Sequence, residues 1–125
     1  MTQRLGFIGL GNLGFHLANS LVKAGFALTV YDLNKDAAAP LLAAGATWAD
    51  SAQQVAEQSD SVFTCLPSSK AVSAVVSGEQ GIPAGLKPGG TWIDMSTNDR
   101  TETLRLAALA AEKGCNALES PVTGG

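Results

Sequence analysis

Histidine, cysteine and aromatic side chains are scarce in this chain, and so is positive charge. A single histidine, His16, leaves a metal cluster little to build on; it falls on the polar side of the first predicted helix and reads as structurally neutral. The two cysteines, Cys65 and Cys115, lie in apolar surroundings and read as buried, reduced thiols rather than a disulfide or a metal site. Eight Lys and Arg against eleven Asp and Glu leave a formal net charge of −3. With no basic block or basic-aromatic stripe, that balance argues against a nucleic-acid surface. No apolar run approaches a bilayer span, and the N-terminus enters a strand at once, without the layout of a secretory signal. The expectation is a cytoplasmic protein with neither a nucleic-acid nor a membrane partner.

Glycine, by contrast, is plentiful, and three of the fourteen stand at a telling place. Gly9, Gly11 and Gly14 make the spacing G-x-G-x-x-G directly after the apolar run Leu5 to Ile8, and Leu13, Leu17 and Leu21 follow at helical spacing. A glycine triplet at a strand-to-helix turn is the fingerprint of a dinucleotide site. Gly9 permits the tight turn, Gly11 lets a pyrophosphate approach the backbone, and Gly14 lets helix and strand pack closely. The helix starting near Asn12 aims free N–H groups and the positive end of its dipole at the phosphate. The next apolar run ends in Val30-Tyr31-Asp32, which places a carboxylate where such a fold contacts ribose hydroxyls.

The 125 residues suit one domain, and strands and helices alternate to the end. Strands are predicted at about 4–9, 27–31, 46–48, 61–66, 91–94 and 116–119. Helices are predicted at about 12–24, 34–44, 51–59, 69–76 and 100–113. Pro40 should delay or kink the second helix. Ser51 with Gln54 reads as a capping box, as does Asp99 with Glu102. Residues 77–87 read as mostly loop, with one short turn at most, and Lys87-Pro88-Gly89-Gly90 as a type II turn. Six strands with right-handed helical crossovers predict an α/β fold, a Rossmann-type doubly wound parallel sheet of order 3-2-1-4-5-6.

Four motifs then carry a family resemblance: Gly6 to Gly14, Leu66-Pro67, Ile93 to Thr97, and Ser120-Pro121-Val122-Thr123-Gly124-Gly125. In this order and spacing the chain resembles the β-hydroxyacid dehydrogenases, which include 3-hydroxyisobutyrate dehydrogenase and, more distantly, 6-phosphogluconate dehydrogenase. The resemblance implies that Gly9, Leu10, Gly11, Asn12, Leu13 and Gly14 hold the pyrophosphate of NAD and Asp32 its adenosine ribose. It implies that Leu66 and Pro67 line the cofactor groove and that Thr97 sits near the nicotinamide ribose. Thr123, Gly124 and Gly125 would hold the carboxylate of a small β-hydroxyacid substrate. Read from turn chemistry alone, Leu66-Pro67 is equally a strand terminator, Ser96-Thr97 a helix cap and Pro121 to Gly125 a plain turn.

Two departures stand out. Thr123 replaces the usual serine, adding a methyl group, and Asp99 stands where the family often has proline. The family's catalytic lysine lies several dozen residues beyond the Gly-Gly pair, at the root of a helical domain, and no lysine of this chain matches its motif. The expectation is therefore a cofactor-binding domain that carries no catalytic residue of its own, prefers NAD over NADP, and self-associates through surface that a helical domain would cover. A dinucleotide-binding module without chemistry and an NADP-dependent, imine-reductase-like enzyme are the alternatives; Asp32 argues against the latter.

Overall fold

The computed structural model describes residues 4–96 and 100–119. The apolar run at the N-terminus forms the central strand β1 (Arg4–Ile8), buried from Leu5 onward. Around it lie β2 (Ala27–Tyr31), β3 (Thr47–Trp48), β4 (Ser61–Thr64), β5 (Thr91–Asp94) and β6 (Asn116–Glu119). They make one six-stranded sheet of order β3-β2-β1-β4-β5-β6, the predicted order. Every pairing is parallel. The helices are α1 (Asn12–Lys23), α2 (Ala39–Ala43), α3 (Ala52–Glu57), α4 (Ser69–Ser77), α5 (Ile82–Gly85) and α6 (Arg100–Glu112).

Because side chains alternate along a strand, β1 feeds two cores. Leu5 and Phe7 join Leu28, Val30, Ala18 and Leu41 on the α1–α2 side. Ile8 joins Val55, Val62, Val72, Trp92 and Leu106 on the side of α3 to α6. Burial on both faces explains why the strands read as nearly continuous apolar runs.

Proline shapes the local details, and the delay expected of Pro40 is present. Asn34 Oδ1 caps a turn of 3-10 helix (Lys35–Ala38) by accepting from the Asp36 N–H at 3.1 Å. The α-helix restarts only at Ala39, with Pro40 in its first turn, where a missing N–H leaves no bond unmade. The Gly-rich stretch after α4 holds a true helical turn, α5, again with proline at its start, and the Gln53 N–H reaches the Gln80 carbonyl to tie that stretch to α3. Strand β4 ends at Thr64, short of the expected Leu66, although Cys65 still donates to the Ile8 carbonyl at 3.0 Å. The box at Ser51 is displaced by one residue: Ser51 Oγ accepts from the Gln54 N–H, but Gln54 Oε1 accepts from the Asp50 N–H. Gly89 has φ of +91° and the Gly90 N–H reaches the Lys87 carbonyl at 2.8 Å, as a type II turn requires. Asp99, the other expected cap, lies outside the described residues.

Candidate functional site

All six strands point their carboxyl ends to one edge of the sheet, and there a groove of about 690 Å³ opens across β2, β1, β4 and β5. That volume lies within the usual range for cofactor sites, about 300–1,000 Å³. The strand ends are fastened to one another: Gly9 donates to Tyr31 O, Cys65 to Ile8 O and Met95 to Thr64 O, at 3.1, 3.0 and 2.8 Å.

The three glycines of the turn are required for different reasons. Gly9 has φ of +102°, and a Cβ there would collide with the carbonyl of Cys65. A Cβ on Gly14 would collide with the carbonyl of Gly9, so α1 seats against the turn only without a side chain. Gly11 has ordinary extended geometry (φ −70°, ψ −172°), and a Cβ there would meet nothing within 4 Å. Neither strain nor crowding within the chain calls for glycine at Gly11, and its bare Cα leaves the backbone open to the groove. No side chain caps α1, whose first-turn N–H groups therefore stay available beside Gly11, Leu13 and Gly14 on the groove wall.

Asp32 follows β2 directly. Its Oδ2 accepts from the Leu10 N–H at 2.6 Å and its Oδ1 from the Asn34 N–H at 2.8 Å. Each oxygen keeps a second lone pair for a ligand hydroxyl. The nearest cation in sequence, Lys35, has its ammonium 5.5 Å from the centre of the Trp48 ring, and Arg4 stands at the opposite end of β1, paired with Asp60 at 3.4 Å.

On the other side of β1 the wall is made by Cys65, Leu66, Pro67, Met95 and Ser96. Burial, and secondarily the nearby Asp94 carboxylate, push the half-buried Cys65 thiol above its usual range, which favours the thiol over the reactive thiolate. The Leu66 N–H donates to Ser96 Oγ at 2.7 Å, joining the β4 and β5 loops across the groove floor.

Of the residues singled out from sequence, Gly9, Gly11, Leu13, Gly14, Asp32, Leu66 and Pro67 line this one groove. Leu10 is buried behind the turn, and Asn12 is the first residue of α1. Thr97, Thr123, Gly124 and Gly125 lie outside the described residues. Sequence reading missed the groove walls beyond Asp32. Leu33, an apolar side chain in a polar turn, is 94% exposed at the groove mouth, and Ser51 and Gln80 face it from the α3 and α4–α5 segments. An exposed leucine between Asp32 and Asn34 was the available signal; Gln80 had none.

A family model for the NAD binding domain of 6-phosphogluconate dehydrogenase matches residues 4–125. The chain is 38% identical over 122 residues to 2-(hydroxymethyl)glutarate dehydrogenase of Eubacterium barkeri, covering 98% of this chain and 40% of that protein. Among solved structures, Mycobacterium tuberculosis 3-hydroxyisobutyrate dehydrogenase with L-serine superposes with a TM-score of 0.90 at 32% identity, covering 100% of this chain and 42% of that one. Psf3 in complex with NADP+ and 2-OPP gives a TM-score of 0.90 at 30% identity, covering 97% and 43%. The chain thus spans about 40% of the length of the enzymes it matches. A Rossmann sheet, a glycine turn between its first strand and helix, and a family match over nearly every residue lead to one assignment: this chain belongs to the family of NAD-binding domains typified by that of 6-phosphogluconate dehydrogenase.

Proposed function

We propose that the chain is the cofactor-binding part of an oxidoreductase that moves a hydride between NAD and a small β-hydroxyacid. The observation that carries this reading is the open space at Gly11 beside an uncapped helix N-terminus, with Asp32 one strand away. Backbone N–H groups of the Gly9–Gly14 turn would hold the pyrophosphate, and the free lone pairs of Asp32 would accept both hydroxyls of the adenosine ribose. Leu66 and Pro67 would wall the nicotinamide side, with Thr97 near its ribose and Thr123 to Gly125 near the substrate carboxylate. The bound nicotinamide supplies the hydride acceptor.

NAD is the preferred form. A 2′-phosphate would face the Asp32 carboxylate with like charge, and Lys35, the cation nearest to it in sequence, lies over the Trp48 ring. The same feature counts against the imine-reductase reading. Two free thiols, Cys65 and Cys115, suit a reducing compartment such as the cytoplasm.

The acid/base comes from outside this chain. Among the described residues no lysine or histidine lines the groove, and the one thiol there is held protonated. A positioned acid/base contributes about 10²–10⁴-fold to rate. The test is NADH formation from a panel of β-hydroxyacids beside a calorimetric titration with NADH. The 125-residue chain should bind NADH and turn over no substrate. Clear turnover by the purified chain would place the acid/base within it and overturn this division of labour.

A further inference from the structure

The proposed function leaves a buried carboxylate unused. Asp94 closes β5 with 1% exposure, and no lysine, arginine or histidine among the described residues pairs with it. Its Oδ1 accepts from Thr64 Oγ1 at 3.0 Å and from the Ser96 N–H at 3.0 Å. Its Oδ2 has no hydrogen-bond partner among the described residues. Thr64 Oγ1, itself fully buried, accepts from Trp92 Nε1–H at 2.9 Å, and Ser96 Oγ accepts from the Leu66 N–H at 2.7 Å. The chain of bonds therefore runs from a core indole, through a carboxylate, to two loops of the groove wall.

Burying a carboxylate with one oxygen unsatisfied is unfavourable, and an apolar residue at the end of β5 would serve stability better. A group retained against that penalty points to a positional requirement. The groove layout says which position. With the pyrophosphate on the β1 turn and the adenosine ribose on Asp32 after β2, the other half of a dinucleotide has to cross the ends of β4 and β5. Leu66, Met95 and Ser96 line the groove there.

We propose that Thr64, Asp94 and Ser96 form a positioning relay that fixes the nicotinamide end of the groove by holding the β4 and β5 loops in register. The relay rests on the cofactor reading above. Thr64 and Asp94 touch no ligand themselves; they act through Ser96 and the Leu66 backbone.

The test compares NADH with ADP, which keeps the adenosine and both phosphates but lacks the nicotinamide riboside. Thr64→Val is nearly isosteric and removes the hydroxyl at the centre of the relay. It should weaken NADH by about tenfold while leaving ADP within about twofold, the scale of one lost buried hydrogen bond. Thr64→Ser, which restores the hydroxyl, should recover NADH affinity to within about threefold. Ser96→Ala removes only the acceptor for the Leu66 N–H, spares the Trp92 bond, and should show the same selective loss should Thr64→Val fail to fold. Equal losses for NADH and ADP, or unchanged NADH affinity in a folded variant, would overturn the relay. If the unsubstituted chain binds neither compound, the cofactor reading itself fails and the relay with it.

Discussion

On the β1–β2 side, the polar groups that line the groove are backbone N–H donors around Gly11 and one part-buried carboxylate, Asp32. On the β4–β5 side they are loop residues hydrogen-bonded into a network that runs through Asp94 and Thr64 to Trp92 in the interior. The first half comes from one β-α-β unit, its turn and carboxylate joined across 22 positions, and carries most of its chemistry on the main chain. The second is assembled from residues some thirty positions apart and carries its geometry in buried side chains. The contrast teaches that ligand affinity and stability separate on the first side, at positions such as Gly11, and are entangled on the second.

The sharpest exception on the β1–β2 side should be Gly14, where the fold itself demands glycine. Gly14→Ala drives a methyl group into the Gly9 carbonyl and should destabilise the domain by about 2–4 kcal/mol. Denaturant titration measures it; a shift under about 0.5 kcal/mol would mean that α1 is free to move away from the turn.

A smaller effect separates the cofactors. Two unit charges about 4 Å apart repel by about 4 kcal/mol at an effective dielectric near 20. Screening and rearrangement reduce this, so NADH should bind at least about tenfold more tightly than NADPH. Asp32→Asn should narrow the ratio, mostly by losing NADH. Equal affinities for the unsubstituted chain would rule out Asp32 as the discriminating group.

The smallest effect lies away from both halves. The Arg4 N–H and guanidinium, together with Lys87, hold the Asp60 carboxyl below its usual range, outweighing the opposing effect of desolvation. A lowered folded-state value means the bond's contribution is present at neutral pH and is lost as pH falls through the carboxylate range. Asp60→Asn should therefore flatten the acid limb of the stability curve slightly, and leave NADH affinity unchanged.

The same contrast decides what could be read from the sequence. The glycine turn and Asp32 were legible because their chemistry needs a fixed spacing within a strand, a turn and the next strand. Strand order was legible because right-handed crossovers leave few alternatives. The Thr64–Asp94 pairing was not: nothing in Ser61–Thr64 or Thr91–Asp94 tells which side chain meets which until the strands are in register. Helix α5 was hidden for a similar reason. Ile82-Pro83-Ala84-Gly85 has the composition of a loop and is held as a helical turn against α3, where Gly85 is close enough to the Gln53 carbonyl to exclude a side chain. Leu33 and Gln80 face the groove because of where β2 and the α4–α5 segment end, which no local pattern encodes.

The most direct measurement is a calorimetric titration of Gly11→Val with NADH, run beside circular dichroism and denaturant unfolding. Backbone geometry at Gly11 is ordinary and the space above it is empty of protein atoms, so the variant should fold, with stability within about 1 kcal/mol of the unsubstituted chain. Its two methyl groups would stand where the pyrophosphate meets the backbone, and NADH binding should be lost. A folded Gly11→Val that keeps its affinity for NADH would contradict the placement of the cofactor on this turn.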